Sequence, residues 1–235
     1  MKKIFLVTLS CICLSAYAQK KKNRDSASML MSNGIGVSFQ QFNELNKRIA
    51  SFPEYKGLRD QMWTLTLGSM NVRKRFVSGL NVTGGSSLSG DRGKRSSALR
   101  FLSGGIDLGY DLIPADRFML YPLVGLGAET YRAIFYKDNS AVDFNDVLGS
   151  PVTQNNIRTV KFTNSFFTYR VGLGFAIKSP QSRGTVGVQL GYIGSFRENS
   201  WKGQENQVFS RSPEDRISRF QISLIFGNNS NMMRE

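Results

Sequence analysis

Phe220-Gln221-Ile222-Ser223-Leu224-Ile225-Phe226 puts Phe220, Ile222, Leu224 and Phe226 on one side of an extended chain, with Gln221, Ser223 and Ile225 on the other. Successive side chains of a strand point to opposite faces, so a period of two marks a β-strand with unlike faces. The rhythm repeats upstream. Val186, Val188, Leu190 and Tyr192 alternate with Thr185, Gly187, Gln189 and Gly191. Before them Phe167, Tyr169, Val171, Leu173, Phe175 and Ile177 alternate with Thr168, Arg170, Gly172, Gly174 and Ala176.

Five further segments read the same way: 33–40, 62–71, 76–88, 98–113 and 118–136. Ile35, Val37 and Phe39 oppose Gly34, Gly36 and Ser38, and Trp63, Leu65 and Leu67 oppose Thr64 and Thr66. Phe76, Leu80 and Val82 oppose Asn81 and Thr83, and Leu102, Ile106 and Leu108 oppose Ser103, Gly105 and Asp107. In the last, Val124, Leu126 and Ala128 oppose Gly125, Gly127 and Glu129, and Pro122 predicts a bulge or a locally unpaired position.

The faces decide the type of sheet. A soluble barrel hides its apolar side chains inside, whereas eight strands enclose a lumen barely wide enough for side chains. Here the bulky face suits lipid, and the face of Gly, Ser, Thr and charge suits a narrow lumen. The expected fold is all-β, an eight-stranded antiparallel up-and-down transmembrane β-barrel; closure leaves no unpaired edge in lipid. Connections give a second test. The gaps hold about 20, 4, 9, 4, 24, 5 and 15 residues, alternating long and short. Outer-membrane barrels have long extracellular loops and short periplasmic turns. The turns 71–75, 114–117 and 179–183 are therefore placed inside, and the loops 137–160 and 199–215 outside. The first extracellular loop is expected to hold one short amphipathic helix at 41–50, because Phe42, Leu45, Ile49 and Phe52 recur at helical spacing before Pro53. Its apolar face is expected to pack on the barrel rim.

The N-terminus reads as an export signal. Lys2 and Lys3 precede the apolar run from Ile4 to Leu14, and Ala16-Tyr17-Ala18 offers the small-x-small pattern of a cleavage site. The chain divides into a signal peptide 1–18, a flexible basic segment 19–32, the barrel 33–227 and a C-terminal tail 228–235. Both cysteines, Cys11 and Cys13, fall in the signal, which excludes a disulfide framework or thiolate metal site downstream. The location implied is the outer membrane of a Gram-negative bacterium.

The run Ile35-Gly36-Val37-Ser38-Phe39 and then Phe42-Asn43-Glu44-Leu45-Asn46 resembles a family of small outer-membrane β-barrel proteins. Gly104-Gly105-Ile106-Asp107-Leu108-Gly109-Tyr110 and Leu120-Tyr121-Pro122-Leu123-Val124-Gly125-Leu126-Gly127 extend the resemblance from about Gly34 to Phe226. It implies the fold and carries no functional residue, since the family's members are mostly uncharacterised.

Chemistry is sparse. The chain has no histidine, the usual proton shuttle near neutral pH, so no catalytic residue is assigned and an enzyme is not expected. No cofactor or metal is expected either. Gly34/Gly36, Gly125/Gly127 and Gly172/Gly174 lie within strands and lack the following helix that a dinucleotide site needs. Asp107, Glu129, Arg170 and Arg219 fall on inward faces. They read as a lumen charge cluster, paired because unpaired buried charge is costly, with Arg170 expected to meet Asp107 or Glu129. A charged gate is the other reading. Trp63, Tyr110, Phe118, Tyr136, Phe196 and Trp201 lie near strand ends, where amphipathic rings suit the membrane interface.

The net charge of +14 suits anionic headgroups. Arg132, Lys137, Arg197 and Lys202 near the outer rim point to phosphates of lipopolysaccharide in preference to nucleic acid. The partners expected are outer-membrane lipid, lipopolysaccharide and the barrel-assembly machinery, with the barrel itself a monomer. The function expected is a non-enzymatic barrel with a narrow or plugged lumen and a structural or recognition role in its loops. A transport or secretion-accessory barrel and a soluble periplasmic ligand-binding barrel are the alternatives.

Overall fold

The computed structural model describes residues 28–91, 94–113, 117–178, 184–203 and 206–229. The expected signal peptide, residues 19–27 of the basic segment, residues 114–116 of the expected turn 114–117, the turn 179–183 and the end of the tail lie outside these residues. Eight long strands close into one antiparallel barrel. They are β1 (Ser28–Gln40), β2 (Gln61–Arg73), β3 (Phe76–Gly90), β4 (Ser96–Tyr110), β5 (Phe118–Tyr136), β6 (Val160–Lys178), β7 (Gly184–Ser195) and β10 (Ser218–Asn229). Each pairs with its neighbour in sequence, except that β10 follows β7 and closes on β1. Two short strands, β8 (Asn199–Ser200) and β9 (Glu214–Asp215), pair with each other in the last loop.

The register turns alternation into two surfaces. Ile35, Leu65, Leu80, Ile106, Leu126, Val171, Leu190 and Leu224, all exposed, stand on the outside of their eight strands. Ser38, Thr64, Thr83, Ser103, Thr168, Thr185, Gln221 and Ser223 are buried within. In water so continuous an apolar surface would far exceed the few hundred square ångströms a soluble monomer normally exposes. From Leu102 to Tyr110 a strand rising ~3.4 Å per residue at a tilt of ~40° climbs roughly 20 Å, near the apolar band of outer-membrane barrels. Among the described residues no helix is long and apolar enough to cross a membrane.

Two details depart from the expectation, and a third decides between two alternatives. Strand β1 begins at Ser28 and β10 runs to Asn229, so five residues of the segment read as flexible lie in the sheet. Strands β3 and β4 extend to Gly90 and Ser96, so their connection, 91–95, is short although it shares an end with the long loops. Pro122 makes no bulge and is instead locally unpaired, on its β4 side alone. Leu120, Tyr121, Pro122 and Leu123 pair in unbroken register with Phe175, Gly174, Leu173 and Gly172. The β4–β5 ladder stops at Gly109–Leu123, so a residue without an N–H sits where that side asks for no donor.

The first loop carries helix α1 (Asn43–Ala50), whose Leu45 and Ile49 are buried with the preceding Phe42. Phe52 lies past the helix end and is exposed, because the chain leaves the helical path at Ser51. Two short helices, α2 (Phe144–Gly149) and α3 (Pro151–Asn156), occupy the β5–β6 loop. They start on ordinary caps: Asp143 Oδ1 accepts from the Asn145 amide, and Ser150 Oγ from the Thr153 amide, with Pro151 in the first turn.

Candidate functional site

The lumen is built in layers. At the loop end, α1 drops its apolar face into the barrel mouth. Phe42 meets Tyr131 and Trp201 edge to face, with ring centroids 5.0 and 5.2 Å apart, and Tyr131 stacks on Phe101 at 5.3 Å. Leu45, Met62, Leu99, Phe166 and Ile217 complete this apolar cap. A carboxylate from the far loop holds it shut. The residue before α1, Phe42, has no side-chain acceptor for the free amides of the first turn. Asp215 supplies one. Its Oδ1 accepts from the Glu44 amide at 3.0 Å, and its Oδ2 from the Leu45 amide at 3.1 Å and from Trp201 Nε1 at 2.8 Å.

Below the cap lies charge. Arg219, with no exposed surface, donates from Nη2 to Glu129 Oε1 at 2.6 Å, while Tyr131 donates its hydroxyl to Glu129 Oε2 at 2.8 Å. The guanidinium carbon stands 4.2 Å from the Phe101 ring centre. Glu129 and Arg219 come from β5 and β10, which are not neighbours, so the pair spans the lumen. Nearer the short turns, Arg170 Nη1 donates to Asp107 Oδ2 at 2.9 Å, and Asn81 Nδ2 donates to the same oxygen at 2.7 Å. Asp107, Gly125 and Arg170 occupy one row across β4, β5 and β6. A Cβ on Gly125 would fall on the Asp107 carboxylate. The missing side chain is what lets acid and base meet over the strand between them. Val77, Met119, Tyr121, Leu123 and Ala176 form a second apolar layer at the turn end.

Between the layers are small cavities of ≈ 50 Å³ and ≈ 20 Å³, the first edged by Asn81, Asp107, Tyr121 and Arg170, the second by Asp107, Glu129 and Arg170. A water needs about 10–15 Å³ of such space. The first has room for a few waters and the second for about one.

The aromatic residues divide. Trp63, Tyr110, Phe118 and Phe196 are exposed on the outer wall. Tyr110 pairs edge to face with Phe76 at 5.4 Å near the turns, and Phe196 lies 5.3 Å from Tyr169 near the loops. Tyr136 is half-buried beside the β5–β6 loop. Trp201 is the correction. It is completely buried in the cap, because its indole N–H is claimed by Asp215 and its ring by Phe42. Sequence reasoning also missed Asp215, Tyr131 and Phe101, whose partners all come from distant segments. Among the described residues no group of three or more carboxylates could hold a metal.

No protein-family model matches the sequence, and no curated protein does. Solved structures do match in shape. The attachment invasion locus protein Ail of Yersinia pestis, solved with the heparin analogue sucrose octasulfate, aligns with a TM-score of 0.50 and 11% identity over 86% of this chain and 98% of its own. Neisserial surface protein A gives 0.50 and 9% over 87% and 99%. A major outer membrane protein of Thermus thermophilus gives 0.52 and 10% over 86% and 99%. With closed eight-strand topology, an apolar outside and a charged, packed inside, this chain has the fold of the small outer-membrane β-barrels.

Proposed function

We propose that this chain is a non-enzymatic barrel of the Gram-negative outer membrane, closed along its lumen, whose surface loops do its recognition work. The observation that carries the reading is the lumen itself. Two ion pairs stand between two apolar layers, and the cavities left over are of water size. The long connections, 41–60, 137–159 and 196–217, all leave the same end, which would face the medium. Delivery would use the N-terminal signal and the barrel-assembly machinery, with the barrel inserted as a monomer. Lipid contacts the outer wall, and lipopolysaccharide neutralises cations at the outer rim. The absence of histidine in the chain is the argument against catalysis.

Planar-bilayer recordings test the closed lumen. Reconstituted protein is expected to give no stable single-channel steps. Steady channels at ordinary voltages would overturn this reading in favour of a transport barrel.

A further inference from the structure

One row of outward side chains breaks the apolar wall. Strand register places Trp63 opposite Ser86, Ser86 opposite Arg100, Arg100 opposite Arg132, and Arg132 opposite Thr163. An isolated bridge then sets Thr163 against Lys202. Cross-strand partners share a face, so three cations and two hydroxyls follow one another around the barrel, ending on a tryptophan.

Arg100 and Arg132 are both exposed and stand directly opposite each other. Directly opposed residues bring their Cβ atoms to about 4.5–5.5 Å, and like charges so placed destabilise a sheet. Neither guanidinium group has an ion pair or hydrogen bond among the described residues. The repulsion is left uncompensated by the protein's own side chains. An anion between the two guanidinium groups would reverse its sign, and two forked donors flanked by hydroxyls suit the oxygens of a phosphate.

The depth of the row selects the source of that phosphate. Leu102, the next outward residue of β4 toward the turns, begins the apolar band that ends at Tyr110. Trp63, in the same row, is 67% exposed on the outer wall, and tryptophan there marks headgroup depth. The neighbouring groove, edged by Ser86, Lys94, Ser96, Arg100 and Lys137, continues the site toward the loops. Asp138, whose carboxyl the Ser140 hydroxyl and amide hold below its ordinary value, sets a negative charge in the neighbourhood of Lys94. The opposite flank, at β1, β7 and β10, has a mainly acidic groove, edged by Glu44, Asp60, Glu198, Glu214 and Asp215 with Arg216 among them. The cationic row belongs to one side of the barrel and does not simply reflect the net charge.

We propose that Arg100 and Arg132, with Ser86, Thr163 and Lys202 beside them, bind a phosphate of a phosphorylated lipid headgroup in the outer leaflet. The proposal rests on the outer-membrane reading and its loop-outside orientation. Diphosphoryl lipid A is the probe, titrated into the full barrel in zwitterionic detergent and read by native mass spectrometry. R100Q/R132Q is expected to weaken binding roughly tenfold or more, and R211Q/R216Q, which removes equal charge elsewhere, to bind like the parent. Lipid A stripped of phosphate is expected to bind the parent as weakly as diphosphoryl lipid A binds R100Q/R132Q. In detergent without lipid A, R100Q/R132Q is expected to be at least as stable as the parent, because repulsion has been removed.

Unchanged binding by R100Q/R132Q, an equal loss in R211Q/R216Q, or displacement of lipid A by millimolar inorganic phosphate would overturn the proposal. A parent chain without a heat-dependent gel shift would remove the barrel reading and the proposal with it. A shifted barrel with unaltered lipid A binding would remove the proposal alone.

Discussion

Glu129→Leu is expected to destabilise the folded barrel by about 3–5 kcal/mol, the usual scale for breaking one half of a buried ion pair. Arg219 has no exposed surface and Glu129 keeps 4% of its own, so bulk solvent does not reach the pair, and the ≈ 20 Å³ cavity beside Glu129 leaves room for about one water in place of the lost carboxylate. Nε and Nη1 of Arg219 already lack a protein acceptor, which leaves Glu129 as the counter-charge within reach. Tyr131 would lose the acceptor of its hydroxyl in the same substitution. The paired variant E129L/R219M should recover most of the loss, because taking both charges out together removes the desolvation cost along with the attraction. Urea titration of liposome-embedded protein checks both. A single variant within about 1 kcal/mol of the parent, on this scale, would show that the pair does not hold the lumen.

Asp215→Ala is expected to cost about 2–4 kcal/mol and to loosen the cap. It removes a helix cap, typically worth ~1 kcal/mol, and leaves the completely buried indole N–H of Trp201 without an acceptor, at about 1–3 kcal/mol more. The loss is concentrated where two distant loops meet, so its second readout is local. Limited proteolysis should cut 41–60 and 196–217 faster in D215A while the barrel wall stays intact. D215N keeps an acceptor oxygen and should fall between. Equal cleavage rates in D215A and the parent would mean that α1 is held in the mouth by packing alone.

Much of the barrel was legible in the sequence because alternation is a local signal. Phe220 to Phe226 announces its two faces with no help from the rest of the chain. Phe42, Leu45 and Ile49 likewise announce one helical face, and all three are buried. The short helices α2 and α3 were missed although Asp143 and the Ser150-Pro151 step signal their starts, because six residues are too few for a period of 3.6 to declare itself.

What depends on register was legible only in part. Arg170 was expected to meet Asp107 or Glu129 and meets Asp107, but the choice between the two acids, and the meeting over Gly125, follow only once β4, β5 and β6 are aligned. The opposition of Arg100 and Arg132 is hidden for the same reason. Trp201 was misplaced because a ring near a strand end looks alike in sequence whether it faces lipid or a partner; Asp215, fourteen residues away, decides it.

Native-versus-boiled electrophoresis of protein refolded into bilayers reads out whether the chain closes into a barrel in a membrane. The unboiled sample is expected to migrate as a compact, faster band and to shift to the slower position of the unfolded chain on heating. A single mobility before and after boiling, with the protein recovered in the soluble fraction, would rule out a membrane barrel.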